Sequence, residues 1–171
     1  MMSSRNRARM LAGAALTVLI AGCDTGASFE YIHLPGTEPA AGANMPFTSA
    51  IQVRSGSVVF LSGITAAPVP HSHPHVPSEF DDLDFSADVQ AEAIMERLGQ
   101  TMEAAGGQLT DIIQVTRFMV DVDANQDAVN VVMNRYWGPN HRPASTTVEI
   151  VRLATDPRFV LEVEAVAVLS D

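Results

Sequence analysis

The sequence predicts an α+β domain built on one mixed β-sheet that carries two helices on one of its faces. The chain has 171 residues, 47% of them hydrophobic, which is enough for a single core. Alternating or continuous apolar runs indicate five strands, and two segments with apolar residues at helical spacing indicate helices. Their order, β-β-α-β-α-β-β, favours crossover connections that leave both helices on the same side of the sheet.

The N-terminal segment is predicted to lie outside this domain. A stretch with three arginines precedes an apolar run too short to span a bilayer comfortably, and the letters LIAGC that end this run at Cys23 resemble a bacterial lipobox. We therefore expect residues 1–22 to be a lipoprotein signal peptide and Cys23 to carry the lipid, the alternative being an ordinary signal peptide. Residues 23–46 would then be the anchor cysteine with a flexible tether, and residues 47–171 the domain, lipid-anchored on the periplasmic or extracytoplasmic side of the bacterial envelope.

Two strands are predicted at the start of the domain. They cover Ser49 to Arg54 and Val58 to Ile64, and Ser55-Gly56 between them is typical of a hairpin turn. The second strand is apolar on both faces, which favours a central place in the sheet. Residues 65–85 are expected to form a long polar loop.

The elements that follow alternate between helix and strand. The first helix is predicted over Asp88 to Ala105, with Ser86 or Asp88 as its cap and Gly106-Gly107 as its stop. Asp123 and Gln126 resemble a capping box, and the helix that they open is predicted to end at Trp137. The three remaining strands are predicted over residues 112–122, 144–152 and 159–169.

Charge and cysteine content restrict the class of partner. After residue 22 the chain has seven arginines, no lysine and 20 acidic residues, so its net charge there is −13 with histidine neutral. Such a charge repels phosphate backbones, which argues against a nucleic-acid partner. The single cysteine excludes an intrachain disulfide. Because no third helix is available to cover the second face of an apolar sheet, we expect the chain to form an oligomer.

A carboxylate and a glycine are the first candidate functional groups. The last strand carries Glu162 and Glu164 beside valines, and apolar surroundings disfavour the charged form of a carboxylate. Glu164 is therefore a candidate acid or base, the alternative being a solvated or ion-paired carboxylate. Ser62-Gly63 ends the second strand, where a glycine leaves backbone N–H groups approachable for an anion or a carbonyl oxygen.

Three hydroxyl groups form a second candidate set. Ser145, Thr146 and Thr147 can donate hydrogen bonds to a ligand, although threonine is also simply a good strand residue. No base is adjacent in sequence, so nothing indicates a serine nucleophile.

Three alternating histidines in the predicted loop are a weak metal-binding candidate. In an extended segment His71, His73 and His75 share one side, and neutral imidazoles bind transition metals. A closed site also needs a further ligand, for which Asp81, Asp82 or Asp84 are candidates, and a rigid frame. The sequence favours the alternative, a mobile proline-rich surface loop.

Several ordered blocks of the chain resemble the RidA/YjgF family of reactive-intermediate deaminases, also called endoribonuclease L-PSP. They are FTSAIQVRSGSVVFLSG, MEAAGGQLTDIIQVTRFMVDV, AVNVVMNRYWG, RPASTTVEIVRL and LEVEAVAVL, within residues 47–169. The resemblance implies a chorismate-mutase-like fold and a homotrimer with small-molecule sites in the clefts between subunits. It also implies hydrolysis of enamines and imines such as 2-aminoacrylate to a keto acid and ammonia, without metal or organic cofactor. An arginine would bind the substrate carboxylate and a glutamate would serve the attacking water.

The resemblance also assigns roles to individual positions and exposes a departure. The pocket would contain Ser62, Gly63, Asn130 and Thr147, with Glu164 as the glutamate. The family pattern Pro-Ala-Arg-Ser is Pro143-Ala144-Ser145-Thr146 here, so Ser145 occupies the position of the arginine. Phe47 stands where the family usually has tyrosine. Since serine cannot replace the guanidinium fork, we expect weak hydrolysis of 2-aminoacrylate unless Arg142 or Arg117 substitutes for it.

Two functions follow from these features. The first is a divergent RidA-like deaminase or related small-molecule hydrolase in which Glu164 serves water and no family arginine binds a carboxylate. The alternative is a non-catalytic small-molecule-binding trimer held at the envelope.

Overall fold

The computed structural model describes residues 28–35 and 47–170. Its elements in chain order are β1 (Ser28–Ile32), β2 (Ala50–Ser55), β3 (Ser57–Thr65), α1 (Ala87–Ala104), β4 (Ile112–Met119), α2 (Val122–Trp137), β5 (Ala144–Glu149) and β6 (Leu161–Leu169). Short 3₁₀ helices cover Pro77–Phe80 and Leu109–Asp111. The predicted signal peptide, Cys23 and most of the predicted tether lie outside the described residues. Within them, no helix is long and apolar enough to cross a membrane.

A four-stranded mixed sheet forms the centre of the domain, as predicted. Its strand order is β3-β6-β4-β5, with β4 and β5 parallel and the other pairs antiparallel. Both helices pack against one face and against each other. Four odd-numbered residues of β6 face them and are buried: Leu161, Val163, Ala165 and Ala167. The core between helices and sheet is completed by Ile94, Met95, Leu98, Met102, Val115, Val129 and Met133.

Both helices end at glycines that adopt positive φ angles. Gly106 (φ 87°) follows α1 and Gly138 (φ 71°) follows α2, conformations that a side chain would strain. The predicted capping box of the second helix is wrong: Asp121, in a left-handed conformation, accepts a hydrogen bond from the Ala124 N–H. Ser86 does precede α1, but its hydroxyl bonds Asp84 instead of capping the helix.

The N-terminal pairing differs from the prediction in two ways. Residues 28–32, expected to belong to a flexible tether, form β1, which pairs antiparallel with β2 in a separate two-stranded sheet. The Ser55-Gly56 hairpin is therefore wrong, because β2 pairs with β1 and not with β3. Gly56 (φ 110°) instead redirects the chain from one sheet into the other.

The strand predicted to be central lies at an edge of the four-stranded sheet. Its two apolar faces have another cause: β3 contributes to the sheet face that the helices leave uncovered. Phe60 is 81% exposed there, and Val58 and Val148 on the same face are also exposed. An apolar strand at an exposed edge is a surface suited to contact with another chain.

Candidate functional site

A small cavity lies between α2 and the paired strands β4 and β5. It is lined by Phe47, Val115, Arg117, Asn130, Met133, Asn134, Trp137, Pro143 and Ser145. Three residues predicted for the site, Phe47, Asn130 and Ser145, thus do come together. The cavity holds about 30 Å³, which is room for one or two waters or a group of about that size.

Arg117 is the charged residue in this cavity. Its Nη1 donates to Asn130 Oδ1 at 2.6 Å, and its Nε is buried without a hydrogen-bond partner among the described residues. Burial lowers the pKa of the guanidinium, because the low-dielectric surroundings disfavour the charged form. A buried guanidinium N–H without a partner costs free energy unless a water or an anion accepts from it.

The strand register explains why this arginine lies beside Ser145. In the parallel pair, Val115 is opposite Ser145 and Arg117 is opposite Thr147, so these side chains share the face covered by α2. Ser145 is small, and Arg117, diagonal to it on the next strand, supplies the guanidinium among the residues that line the cavity. Thr147 lies next to this cavity but does not line it.

A second cleft lies at the β3 edge of the sheet, around Gly63. The register shifts between Leu61 and Ile64, so Ser62 and Gly63 form a β-bulge in β3. A side chain at Gly63 would overlap the Glu162 carboxylate, whose Cδ would lie 2.9 Å from the added Cβ. The glycine therefore lets Glu162 approach the backbone of the bulge closely.

The cleft at Gly63 holds about 450 Å³ and combines several ionisable groups. It is lined by Gly63, Ile64, Thr65, Ala67, Val69, His71, His73, His75, Arg97, Ala154, Thr155 and Glu162. Arg97 reaches it from α1, where its Nη1 donates to the carbonyls of Thr65 (2.8 Å) and Ala67 (2.6 Å). Burial lowers the pKa of this guanidinium. The cleft thus contains a carboxylate, a cation and the predicted histidines.

Glu164 occupies a different place from the one expected. Its side chain is exposed on the uncovered sheet face, in a shallow depression with Gln114 and Thr116. Thr146 lies in the same row, since Thr116 is opposite both Glu164 and Thr146. The burial that motivated Glu164 as an acid or base is thus absent in the single chain.

Arg142 does not reach the Ser145 cavity. Its guanidinium donates to the carbonyls of Gly138 and His141, and it lines a separate depression with Tyr31 and His33. Of the two arginines suggested as substitutes, the structure places only Arg117 beside Ser145.

His141 is a buried residue whose ring joins separate parts of the domain by hydrogen bonds. Its Nε2 donates to the Ile112 carbonyl and its Nδ1 accepts from the Tyr31 hydroxyl, both at 2.8 Å, so the two bonds fix one neutral tautomer. Burial lowers the pKa of this histidine. The bond to Tyr31 attaches β1 to the domain.

Two residues of these sites, Glu162 and Arg97, have little signal in the sequence. Alternation along β6 places Glu162 and Glu164 on one face and does not distinguish them. The bulge, which brings Glu162 to Gly63, has no local sequence signal beyond the glycine itself. Arg97 lies in a helix that was assigned from its apolar residues, and its contact with the end of β3 is long-range.

Comparisons with known proteins agree on one family. The family model for endoribonuclease L-PSP matches residues 37–169. Protein DfrA of Myxococcus xanthus is 29% identical over 137 residues, 80% of this chain and 93% of that protein. The Escherichia coli K12 protein named "Putative reactive intermediate deaminase TdcF" is 30% identical over 136 residues, 78% of this chain and 95% of that protein.

Solved structures agree with this family. A Thermotoga maritima crystal structure matches with a TM-score of 0.53 and 30% identity, covering 75% of this chain and 91% of that one. YyfB of Yersinia pestis, of the conserved Rid protein family, matches with a TM-score of 0.63 over 82% of this chain and 98% of its own. At 20% identity this second likeness supports the fold alone. The predicted chorismate-mutase-like α+β fold is thereby confirmed.

Proposed function

Since the chain belongs to the endoribonuclease L-PSP family, the RidA/YjgF family, we propose that it hydrolyses small enamines or imines that carry a carboxylate. Arg117 binds the substrate carboxylate and Glu162 serves the attacking water. The proposal departs from the sequence-based hypothesis in two respects: the chain keeps an arginine for the carboxylate, on a different strand, and Glu162 takes the role first given to Glu164.

The position of Arg117 carries the proposal. A desolvated guanidinium with a buried, unpartnered Nε among the described residues favours an anion as its partner. Its planar fork matches a carboxylate in two parallel hydrogen bonds. Asn130 orients the group through Nη1, which leaves the other nitrogens for a ligand. The cavity of about 30 Å³ is suited to a carboxylate rather than a whole substrate.

The bulge at Gly63 supports Glu162 as the carboxylate that serves water. Glu162 lies against Gly63, and backbone N–H groups at a bulge are available to bind a polarised atom. Glu164 is opposite the bulge in the strand register, but its side chain is exposed in the depression with Gln114 and Thr116, whereas the Glu162 carboxylate lies against Gly63. In the proposed step, water adds to the carbon of the C=N bond while Glu162 accepts its proton. Glu162 passes this proton to the nitrogen, which takes a second proton from the new hydroxyl group; the C–N bond then breaks as the C=O bond forms, so that ammonia leaves and a keto acid remains.

The two halves of this site face opposite sides of one sheet. Arg117 of β4 is opposite Val163 of β6, and Phe118 is opposite Glu162. Because successive residues of a strand point to opposite faces, Arg117 and Glu162 lie on different faces of the sheet. One chain therefore cannot present both groups to one small substrate. We propose a homotrimer in which Arg117 of one subunit meets Glu162 of the next, with the exposed Phe60 face packed inside.

The envelope location remains part of the proposal. It rests on the LIAGC letters and Cys23, where a lipid would hold the trimer at a membrane surface. Mass spectrometry of the purified chain tests it: a diacylated N-terminal Cys23 is expected, and a mature N-terminus at any other residue would contradict it.

The decisive assay compares the two neighbouring glutamates. Keto acid release is measured with 2-aminoacrylate generated in situ, for the natural chain, Glu162→Gln and Glu164→Gln. We expect turnover by the natural chain and by Glu164→Gln, and a loss of about 10²–10⁴-fold in Glu162→Gln. A loss confined to Glu164→Gln would restore the sequence-based assignment and contradict this one.

The alternative is a non-catalytic trimer that binds a small molecule in the same cleft. The phenylalanine at position 47, which lines the Arg117 cavity without a hydroxyl, favours it. Calorimetric binding of a keto acid to the natural chain, without turnover of any imine, would support this alternative.

A further inference from the structure

The three histidines of the loop after β3 form a compact cluster. The ring centroids of His71, His73 and His75 lie 4.7, 5.1 and 4.7 Å apart. One nitrogen of each ring lies within 4.8 Å of the corresponding nitrogens of the others. His71 and His75 are half-buried and His73 is exposed. Three imidazoles that converge in this way offer three nitrogen ligands of the kind that transition metals prefer.

A backbone hydrogen bond orients the first of these rings. His71 Nδ1 lies 2.6 Å from the Pro68 carbonyl, which can only accept, so Nδ1 carries the proton and donates it. Nε2 then keeps its lone pair free. Histidine ligands of metal sites commonly use one nitrogen for the metal and donate the other N–H to a carbonyl or carboxylate.

The frame around the cluster is packed, in contrast to the mobile loop that the sequence favoured. The His71 ring contacts Phe80 edge to face at 5.6 Å, and Phe80 is fully buried against Phe159. Ser72 donates from its N–H (2.8 Å) and its hydroxyl (2.5 Å) to the Glu79 carboxylate. These contacts position the loop backbone independently of any ligand.

A second arginine holds the far end of the loop. Arg158 donates to the Pro77 carbonyl (2.7 Å) and to Asp81 (2.8 Å), and its Nε is paired with the buried Asp156 at 2.9 Å. Arg97 holds the near end through the carbonyls of Thr65 and Ala67. Both ends of the segment that carries the histidines are therefore attached to the domain.

From this geometry we propose that His71, His73 and His75 bind one divalent transition metal, with Zn²⁺ the best fit, at the rim of the Glu162 cleft. Zn–N bonds of about 2.0–2.1 Å at tetrahedral angles put three histidine nitrogens about 3.3 Å apart. The nitrogens of the cluster lie within 4.8 Å of one another, so metal binding requires each pair to approach by no more than about 1.5 Å. The net charge of −10 at pH 7 favours a cation at the surface.

The fourth coordination position faces solvent in the cleft. Among the described residues, no fourth histidine, cysteine or carboxylate joins the cluster. Three protein ligands and an open position are typical of zinc sites that hold a water or a substrate group. The same cleft contains Glu162 and Arg97, so a water or an anion bound to the metal would lie in the compartment where the proposed hydrolysis takes place.

Metal binding itself tests the proposal, without an activity readout. The full-length chain is purified in detergent without an affinity tag, stripped with a chelator and titrated with Zn²⁺ by calorimetry, with metal content measured afterwards. We expect one metal per chain. His73→Ala and His75→Ala are expected to weaken binding by more than about tenfold, since each removes a ligand. His33→Ala, which changes a histidine outside the cluster, should bind like the natural chain.

Cobalt reports on the open position. With Co²⁺ in place of Zn²⁺, visible absorption bands typical of tetrahedral coordination are expected, and added azide should shift them because it enters the open position. A natural chain without stoichiometric metal, or an equal loss in His33→Ala and His73→Ala, would overturn the site. Spectra that azide leaves unchanged would overturn the open position. These results do not depend on whether the chain hydrolyses imines, because they measure metal binding and not turnover. Loss of activity in the Arg117 and Glu162 variants is therefore a separate test.

Discussion

Exchange of Arg117 tests whether this residue replaces the arginine that the family pattern places at position 145. Arg117→Lys keeps the charge but loses the planar fork, so one of two charge-assisted hydrogen bonds to a carboxylate is lost. Such a bond is worth about 1.5–3 kcal/mol, which corresponds to a fall of about 10–150-fold in kcat/KM. Arg117→Met removes both bonds, and the expected fall is about 10²–10⁴-fold.

The assay compares two substrates to separate recognition from folding. Keto acid release from 2-aminoacrylate is measured beside hydrolysis of an imine of similar size without a carboxylate. Arg117→Met should impair the first reaction and leave the second within a few-fold, because only the first substrate uses the fork. Thermal unfolding of each variant gives the control for stability, since Asn130 loses its donor when the guanidinium is removed.

A second variant places an arginine where the family pattern has it. In Arg117→Met/Ser145→Arg, the new guanidinium enters the same cavity from the neighbouring strand, because both positions line it. We expect this double variant to regain at least about a tenth of the natural kcat/KM for 2-aminoacrylate. Equal losses on both substrates, or an Arg117→Met variant with natural activity, would refute the role given to Arg117.

Three further predictions concern the bulge, the buried histidine and the uncovered sheet face. Gly63→Ala places a Cβ where the Glu162 carboxylate lies, so kcat should fall as in Glu162→Gln while the melting temperature changes little. Gly99→Ala is the matched control, because its Cβ would meet only Leu109 at 3.9 Å. Burial lowers the pKa of His141, so the unfolded chain takes up a proton first as pH falls below about 6.5, and the free energy of unfolding should decrease by up to about 1.4 kcal/mol per pH unit from this group. When the free energy of unfolding is measured by denaturant titration between pH 7 and 5, it should fall less steeply with pH in His141→Gln than in the natural chain. An equally steep fall in both would contradict the low pKa of His141. Phe60→Glu should shift the molar mass measured by light scattering from that of a trimer to that of a monomer. Val131→Glu, at a 70% exposed position of α2, should leave the trimer intact. A trimer in both variants would exclude the Phe60 face from the interface.

Local patterns were sufficient for the elements that carry their own periodicity. The apolar stripe of α1, with Ile94, Met95 and Leu98 buried, and the alternation of β6 gave these elements to within two residues. The glycines after both helices gave their ends. The quoted sequence blocks also led to the correct family, because they extend in order over almost the whole domain.

Pairing partners and register were beyond reach, because they depend on contacts distant in sequence. Nothing near Gly56 indicates that β2 pairs with residues 28–32, and a strand with two apolar faces can lie at the centre of a sheet or at an oligomer interface. The proximity of Arg117 to Ser145 follows from the parallel register of β4 and β5, and that of Glu162 to Gly63 from a bulge. The sequence thus predicted the kinds of residue in the candidate site, a carboxylate, an arginine and hydroxyl groups. Which arginine and which glutamate take part could be proposed only from the structure.

A crystal structure of the chain with pyruvate, the product expected from 2-aminoacrylate, shows directly whether Arg117 and Glu162 share one site between subunits. We expect a trimer in which the pyruvate carboxylate accepts hydrogen bonds from Arg117 of one subunit, with Glu162 of the neighbouring subunit facing its keto carbon. Pyruvate bound away from Arg117, or subunits that keep Arg117 and Glu162 in separate compartments, would contradict it.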